Sequence, residues 1–416
     1  MTHPLGVVRV LLLVPTHSYR ASSFLEAARS LGVEVVVGSD RRQTLAEHVP
    51  GRSIALDFPD EEGVTRAIAD FAREYPLAAI VPTDDETAVL AARAAAALSL
   101  PGNSVDSAVA ARDKRRMREL LSVAGIPSPP FQSFRTDADP RMVAGQVDYP
   151  SVVKPLSLSA SRGVIRVDDP DGFVAAFGRL VALLGTPEIT DRCGPAARQI
   201  LVERYVPGVE VALEGLLTAG ELRVLALFDK PDPLEGPFFE ETIYVTPSRL
   251  PANTQRALSD CAARAARALG LLSGPVHAEL RWNDEGPWLI EMAARSIGGL
   301  CSRTLRFGVG RSLEELILRH ATGMTTSDLR PECGSAGVMM IPIPCRGVLH
   351  EVRGVQEARA VLDIEEVVIS IPQGQELVPL PEGNRYLGFI FARAATPERV
   401  ERSLRAAHAR LELVIV

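Results

Sequence analysis

The stretch SGPVHAELRWNDEGPWLIEMAARSIGGLCSR, residues 273–303, decides our interpretation of the fold. Apolar and polar residues alternate over 276–282, which is typical of a half-buried strand that presents Glu279 on its polar face. A second short strand is predicted at 288–292, with Glu291 on the face opposite its apolar residues. Two strands this close in sequence predict a hairpin that carries one acid on each strand.

The turn between the two strands fixes which residues face each other. Residues 283–286 (NDEG) have the composition of a turn. If 284–286 is a three-residue loop with the glycine in the left-handed conformation, Asn283 pairs with Pro287 and Glu279 lies directly across from Glu291. Two carboxylates about 5 Å apart repel each other, so the pairing predicts a cation between them.

An arginine and a glycine turn follow the second strand. Arg295 comes four residues after Glu291, and Gly298 and Gly299 come next. Magnesium prefers a few carboxylates together with substrate phosphate oxygens, so this combination favours a magnesium–phosphate site. A surface hairpin whose acids point into water has the same spacing, and the hairpin alone leaves both interpretations open.

Composition limits the class of protein. The 416 residues are enough for two or three domains, and the formal net charge of −7 comes with no basic stripe, so nucleic acid is not expected as a partner. Five cysteines without CxxC spacing indicate reduced thiols and a cytoplasmic protein, and they argue against zinc. The apolar run at 7–14 is too short for a signal peptide, and no stretch is long enough to cross a bilayer, so no membrane is expected.

Strands alternate with helices at the start of the chain, which predicts a doubly wound parallel sheet as the N-terminal α/β domain at 1–105. The loops 16–18 and 83–86 follow predicted strands and are expected to face a substrate, although 83–86 also suits a helix cap. No GxGxxG motif follows the first strand, so a nicotinamide site is not supported. A nucleotide-binding and catalytic region is predicted at 106–330, and a small α+β domain without a catalytic cluster at 331–416.

Two lysines precede the hairpin in regions that suit phosphate binding. Lys114 lies in a charged helical run, which by itself is typical of a solvated helix face. Lys154 ends a short predicted strand, and a loop of small residues follows at 157–163 (SLSASRG). Backbone amides and hydroxyls of such a loop can point at one anion, so the pair resembles a phosphate cradle, with a flexible serine-rich hairpin as the alternative.

Further acids lie between these lysines and the hairpin. Glu203 and Glu210 flank a predicted turn, where they could accept from an exocyclic amine and from ribose hydroxyls, or simply face solvent. The irregular segment 230–247 is long enough to suggest a functional loop. Within it, Glu240 and Glu241 are candidates to accept hydrogen bonds from a substrate ammonium.

Taken in order, these pieces resemble an ATP-grasp ligase. The resemblance runs over 106–323 and rests on four places: 113–127, 153–163, 202–210, and the hairpin with the segment 295–299. It implies an ATP-grasp fold that uses ATP with Mg²⁺, or Mn²⁺ in its place. One departure is Ala293, which stands where the family commonly has asparagine.

The resemblance also implies a role for each matching residue. The residues implied to contact the phosphates, adenine or ribose of ATP, or to form the lid over its γ-phosphate, are Lys114, Lys154, Ser157, Ser159, Gly163, Glu203, Tyr205, Val206 and Glu210. Those implied to hold magnesium are Glu279 and Glu291. Those implied to act in catalysis are Lys154, Ser161, Arg295 and Arg303.

The segments 210–215 and 236–242 are similar to the L-amino acid (dipeptide) ligase branch. This similarity implies that one amino acid is phosphorylated on its carboxylate and then joined to another amino acid or amine, with release of ADP and phosphate. The residues implied to meet these substrates are Glu240, Glu241, His277, Arg295, Ser296, Gly298 and Gly299, with Arg303 as a second candidate for the carboxylate. For His277, a structural hydrogen bond is the alternative.

Two other interpretations stay open. The layout is also similar to the carboxylases of the superfamily, which are of biotin-carboxylase or purine-biosynthesis type and use bicarbonate. The other is a non-catalytic nucleotide-binding protein, for which Ala293 is the sole support. A homodimer is expected from the resemblance alone.

Overall fold

The computed structural model describes residues 8–16, 18–41 and 51–416, so His17 of the predicted loop 16–18 lies outside the described residues. The first part of the chain forms a four-stranded parallel sheet in the order β3-β2-β1-β4, as the alternation of strands and helices predicted. Its strands are β1 (Arg9–Leu13), β2 (Glu34–Ser39), β3 (Ser53–Ala55) and β4 (Ala79–Pro82). Its helices are α1 (Ala21–Leu31), α2 (Glu61–Glu74) and α3 (Asp85–Ala97).

The burial of β1 follows from its position in the N-terminal sheet. Residues 10–13 of β1 are fully buried, because β1 is a central strand with a neighbour on each side and helices over both faces. The loops after β1 and β4 therefore emerge side by side at the carboxyl edge of the sheet.

Two helices then lead into a second, antiparallel sheet in the order β5-β8-β6-β7. The helices are α4 (Val105–Arg112) and α5 (Lys114–Val123), and Asp113 caps α5 by accepting from the amide of Arg116 at 3.0 Å. The sheet and its helices comprise β5 (Phe131–Arg135), α6 (Pro140–Ala144), β6 (Ser151–Pro155), β7 (Ile165–Val167), α7 (Pro170–Leu184), α8 (Pro187–Cys193) and β8 (Gln199–Arg204). The small-residue loop 157–163 joins β6 to β7 and lies at the end of this unit.

An eight-stranded sheet in the order β13-β12-β9-β10-β11-β16-β20-β18 forms the centre of the molecule. Its first part and the covering helix comprise β9 (Val209–Thr218), β10 (Glu221–Asp229), β11 (Ile243–Thr246), α9 (Ala252–Ala268), β12 (Gly274–Asn283) and β13 (Gly286–Ala293). The short hairpin and helix that follow are β14 (Arg306–Phe307), β15 (Arg311–Ser312) and α10 (Leu313–Ala321).

The C-terminal part completes this same sheet, so strands from both sides of the expected boundary at 330 hydrogen-bond to each other. β11 pairs with the first of the late strands over 336–339. The late elements are β16 (Ser335–Ile341), β17 (Gly347–Arg353), α11 (Val355–Arg359), β18 (Ile364–Ile369), β19 (Glu376–Leu377), β20 (Gly388–Ala394), α12 (Pro397–His408) and β21 (Glu412–Ile415). The Thr396 side chain caps α12 by accepting from the amide of Arg399.

In the described part of the chain, no single helix has the length and hydropathy needed to cross a membrane. One bent pair of helical segments, Pro170–Leu184 with Pro187–Arg198, passes that test on length and composition alone.

Candidate active site

A cavity lies where the three sheets approach one another. We call the second sheet, β5-β8-β6-β7, the lid sheet, and this sheet with its helices the lid unit. The lid unit contributes the loop 158–161, and the central sheet contributes the polar face of β12 and β13. The first sheet contributes the segment 84–86 after β4, which confirms that this loop faces the cavity. The expected C-terminal domain, for which no catalytic cluster is predicted, also reaches the cavity with Met340, Asn384 and Tyr386.

The hairpin of β12 and β13 places the two predicted acids opposite each other, but by another route than expected. Asn283 pairs with Gly286, so the turn has two residues and the predicted three-residue loop is wrong. A bulge then adds one residue on β13, because Leu280 pairs with Leu289 while Glu279 pairs with Glu291. The shorter turn and the extra residue of the bulge cancel, so Glu279 still lies opposite Glu291. The bulge also turns Ile290 toward the cavity instead of the core.

Each of the two facing acids is held by a lysine. The Nζ atom of Lys114 lies 3.1 Å from Glu291 Oε1 and also donates to the carbonyl oxygen of Leu158 at 2.9 Å. The Nζ atom of Lys230 lies 3.3 Å from Glu279 Oε1. Because both acids line the cavity and are partly exposed, the alternative of a surface hairpin with solvated acids does not hold.

A buried ion-pair group joins α5 to the lid sheet; we call Arg118, Lys154 and Glu203 the Glu203 cluster. Glu203 Oε2 lies 2.6 Å from Lys154 Nζ, and Glu203 Oε1 lies 2.8 Å from Arg118 Nε. Burial favours the neutral acid, but Arg118 and Lys154 together hold the pKa of Glu203 below its ordinary value. Burial, together with the nearby Arg118 and Lys114, lowers the pKa of Lys154.

A second group has the opposite balance of charge; we call Glu210, Lys230, Glu241 and Glu279 the Lys230 cluster. Oxygen atoms of its three acids lie within 4.8 Å of one another. Lys230 Nζ is 2.8 Å from Glu210 Oε1 and also donates to Glu241. Arg281 adds a second cation, since its Nε donates to Glu210 at 2.7 Å.

Arg295 binds an acid of the first sheet unit. Its Nε and Nη2 donate to the two carboxylate oxygens of Asp85 at 3.0 and 2.8 Å. Burial opposes ionisation of Asp85, but the charge of Arg295 outweighs it and lowers the pKa of this carboxyl. The cavity therefore has a guanidinium fixed in place by the N-terminal unit.

His277 shares the cavity face of β12 with Glu279, as predicted. Its Nδ1 lies 3.3 Å from Glu214 Oε2, and Nε2 lies 4.0 Å from Glu279 Oε1. The same oxygen of Glu214 accepts from the amide of Ile297 at 3.0 Å. Glu214 is fully buried, and burial raises the pKa of its carboxyl. His277 thus makes the structural hydrogen bond and also lines the cavity.

The groups expected to recognise adenine already have partners. Glu203 is 3% exposed and has two cations as neighbours. The amide of Tyr205 donates to Pro150 at 3.0 Å, and the carbonyl oxygen of Val206 accepts from Arg281 at 2.7 Å. In this conformation an adenine amine would have to share the Glu203 carboxylate with Arg118 and Lys154.

Two predicted lid residues lie off the cavity wall. Ser159 and Ser161 line the cavity, whereas Ser157 and Gly163 do not. The amide of Gly163 donates instead to the carbonyl oxygen of Pro381 at 2.7 Å, so it does not point at a phosphate here.

Three predicted substrate residues are also placed elsewhere. Glu240 lies beside the wall but does not line it. Ser296 is buried, and its carbonyl oxygen accepts from Arg20 and Arg295. Arg303 points outward and pairs with Glu366 at 2.8 Å, so it is not available for a substrate carboxylate.

Sequence reasoning missed several residues of the site. Lys230 begins an irregular segment and has no periodicity to mark it. Arg281 does share the alternation of β12 with Glu279, which could have identified it. Asp85 stands in the predicted loop 83–86, and its contact with Arg295 leaves no local signal because the two residues are 210 positions apart.

Models of three domain families match the chain. The ATP-grasp N-terminal domain matches residues 25–102, the ATP-grasp domain matches 147–304, and the L-amino acid ligase C-terminal domain 2 matches 339–416. The three matches follow the order of the units described above.

Relatives and solved structures agree with these matches. The alanine–anticapsin ligase of Bacillus subtilis (strain 168) is 28% identical over 302 residues, which are 69% of this chain and 63% of that protein, so the chain spans less than two thirds of this relative. The crystal structure of L-amino acid ligase from Bacillus licheniformis has a TM-score of 0.80 and 26% identity, covering 98% of this chain and 99% of that one.

A more distant structure shows how widely the fold is shared. N5-carboxyaminoimidazole ribonucleotide synthetase from Thermotoga maritima has a TM-score of 0.71 at 15% identity, over 99% of this chain and 100% of that one, which shows likeness of fold alone. The three family models and the likeness to a solved ligase over nearly its whole length show that the chain is built from ATP-grasp domains followed by an L-amino acid ligase C-terminal domain.

Proposed function

We propose that this protein is an ATP-dependent carboxylate–amine ligase that joins an amino acid to a second amino acid or amine through an acyl phosphate. The observation that carries the proposal is the facing pair Glu279 and Glu291, which lines the same cavity as the Lys154–Glu203 ion pair and the Asp85–Arg295 pair. Such a site can hold a triphosphate tail next to a carboxylate.

Lys114 and Lys154 are the proposed phosphate ligands. Both line the cavity next to the loop 158–161, and both are buried with acidic partners. Phosphate oxygens would compete for the lysine donors with Glu291 and Glu203, and they form strong charge-assisted hydrogen bonds with ammonium groups.

The donor set fits Mg²⁺. Glu279 and Glu291 offer hard carboxylate oxygens on neighbouring strands, and both side chains are partly exposed to the cavity. Ala293 supplies no oxygen, so Glu279 and Glu291 would hold the metal. When bound, Mg²⁺ neutralises phosphate charge in reactions of this type. Mn²⁺ is a suitable probe for the same ligands.

For the amino acid, the structure favours Glu241 over Glu240 and Arg295 over Arg303, because Glu241 and Arg295 line the cavity. Glu241 would accept from the substrate ammonium, and Arg295 would bind its carboxylate and then the acyl phosphate. A Cβ added at Gly298 would meet nothing nearer than Arg295 Nη1 at 4.0 Å, so there is room beside the guanidinium.

The wall beyond this glycine is apolar. Cys301, Met340 and Tyr386 line it, and the two sulfur atoms lie 3.7 Å apart. A wall of thiol, thioether and aromatic ring suits an aliphatic or thioether side chain better than a charged one. We therefore propose an apolar amino acid as one substrate.

The chemistry would proceed in two steps. A carboxylate oxygen attacks the γ-phosphorus of ATP, the bond to the ADP oxygen breaks, and an acyl phosphate forms. The amine then attacks the acyl carbon, phosphate leaves, and the nitrogen loses a proton. Arg295 would stabilise the charge on the acyl phosphate, and the loop 157–163 would exclude water that could hydrolyse it.

The test is ADP release with a panel of amino acids, alone and in pairs, with products identified by mass spectrometry and the acyl phosphate trapped as a hydroxamate. We expect ADP release only with amino acids, and a dipeptide or amide as product. ATP consumption that depends on bicarbonate instead would identify a carboxylase. ATP binding without turnover of any carboxylate would identify a non-catalytic protein.

Two expectations from the sequence remain predictions: the homodimer and the cytoplasmic location. Sedimentation equilibrium tests the dimer directly, because a monomer has a mass of 44.8 kDa.

A further inference from the structure

Lys230 contacts more acids of the cavity wall than any role assigned above explains. It follows β10 directly, is buried, and its Nζ lies near Glu210, Glu241 and Glu279. An ammonium has three N–H donors, and here three carboxylates surround it. The ring of Tyr244 covers a further side, with Nζ 5.1 Å from its centroid.

The charge is held firmly. Lys230 Nζ lies 2.8 Å from Glu210 Oε1 and 3.3 Å from Glu279 Oε1 and also donates to Glu241, so the buried ammonium has three counter-charges at ion-pair distance. Glu241 is itself fixed by Tyr244, whose hydroxyl donates to it at 2.6 Å. Lys230 cannot leave without exposing three close carboxylates to one another.

The two lysines at the facing acids therefore differ. Lys114 bonds one acid, Glu291, and one carbonyl group, so phosphate can draw it away at the loss of a single ion pair. Lys230 could not move away from Glu279 without also losing its contacts with Glu210 and Glu241. A cation that enters the cavity can thus displace Lys114 from its acid more readily than Lys230.

We infer that Lys230 is a resident cation that takes the place a metal ion would otherwise occupy among Glu210, Glu241 and Glu279. It acts as a positioning residue, which aims Glu279 at Glu291 and restricts divalent metal to the gap between those two acids. The inference rests on the proposed function in one respect, the binding of metal by Glu279 and Glu291.

The charge count makes the inference testable. Three carboxylates share two cations, Lys230 and Arg281, so one negative charge remains. Lys230→Met leaves two negative charges, which match a divalent ion. The double variant Lys230→Met/Glu241→Gln again leaves one negative charge, as in the wild type, and is the matched control.

The experiment is a titration of each full-length variant with Mn²⁺, read from the electron paramagnetic resonance signal of the free ion, without ATP or amino acid. We expect Lys230→Met to bind Mn²⁺ at least tenfold more tightly than wild type, or to bind one more ion, and the double variant to bind like wild type. Binding by Lys230→Met equal to wild type would overturn the inference.

A second arm keeps the test decisive if Lys230→Met does not fold. In a protein that keeps Lys230, Glu291→Gln is expected to weaken Mn²⁺ binding at least tenfold, and Glu241→Gln to change it less than threefold. The reverse order would show that metal, not lysine, occupies the three-acid group. Because no substrate is present, these results do not depend on whether amino acids are ligated, which the ADP-release assay tests separately.

Discussion

The Glu203 cluster is buried and the Lys230 cluster is partly buried, and their charges are balanced in opposite senses. The first has two cations for one acid, and the second has three acids for Lys230 and Arg281. Both contribute to the same cavity wall. The comparison shows that the cavity is electrically polarised, with one end suited to phosphates and the other to a metal ion or an ammonium group.

The two clusters also differ in the units that build them. Arg118 comes from α5, and Lys154 and Glu203 come from the lid sheet, β6 and β8. In the Lys230 cluster, Glu210 and Glu279 lie on β9 and β12 of the central sheet, and Lys230 and Glu241 lie in the segment between β10 and β11. A movement of the lid unit therefore moves the cationic end relative to the acidic end, and substitutions can perturb each end separately.

The largest effect is expected for Glu203→Ala. It leaves Arg118 and Lys154 buried without a counter-charge, and removing one partner of a buried ion pair typically costs about 3–5 kcal/mol. The free energy of unfolding, measured in urea, should fall by that amount. Glu119→Ala is the control, because Glu119 pairs with Arg115 and Arg116 at the surface and should cost less than about 1 kcal/mol.

The ion pairs of Glu203 with Arg118 and Lys154 also predict a dependence of stability on pH. The pKa of Glu203 is lowered in the folded protein from its ordinary value of 4.5. Its contribution to stability is therefore complete above 4.5 and is lost as the pH falls through the folded value. The difference in unfolding free energy between wild type and Glu203→Gln should be constant above about pH 5.5 and shrink below it. A difference that grows on acidification would contradict the charge assignment of this cluster.

Next in size is Glu291→Ala at the junction of the two ends. Loss of one electrostatic contact of this kind raises a barrier by on the order of 3 kcal/mol, so ADP release should fall by a factor of about 10² or more. Glu285→Ala, an exposed acid in the turn of the same hairpin, is the matched control and should keep wild-type turnover. Near-normal ADP release by Glu291→Ala would end the metal assignment.

The hairpin also shows how far the sequence could lead. Period-two alternation correctly assigned the faces of β12, and the facing of Glu279 and Glu291 was correct. The turn was not, because sequence cannot distinguish a three-residue loop from a two-residue loop followed by a bulge. The faces of the strands could be predicted from the local sequence pattern. The exact register of the hairpin could not, because tertiary packing decides it.

The rest of the site was less accessible for a different reason. Lys230 binds acids from three separate stretches, and Asp85 binds Arg295 across 210 residues. Such contacts leave no periodic signal in the chain. The same holds for Tyr386, which reaches the cavity because β20 joins the central sheet. The fold class was predictable because the alternation of strands and helices is visible in local sequence. The cavity wall was only partly predictable because many of its contacts are long-range.

A smaller effect is expected at the third side of the cavity, for Asp85→Asn. The amide keeps one acceptor for Arg295 but loses the charge and one of two parallel hydrogen bonds, which is worth about 1–2 kcal/mol. We expect kcat/KM for the amino acid to fall roughly tenfold, with the KM for ATP changed less than twofold. Asp70→Asn is the control, since Asp70 pairs with exposed Arg73. If kcat/KM fell equally for the amino acid and for ATP, the role of Asp85 would be to support the fold and not to position Arg295.

The smallest effect is expected where the lid meets the C-terminal part, at Glu382. Its carboxylate pairs with Arg179 in a half-exposed ion pair, and its carbonyl oxygen accepts from Arg162 at 2.8 Å, a bond that Glu382→Gln retains. Exposed pairs contribute at most about 1 kcal/mol and are screened by salt. Hydrogen exchange of the Gly163 amide, which donates to Pro381, should therefore speed up less than about fivefold and lose this change in 0.5 M salt. Exchange more than tenfold faster at both salt concentrations would make this contact the main restraint on the lid, and the cationic end would then be positioned by the C-terminal part instead of by its own buried cluster.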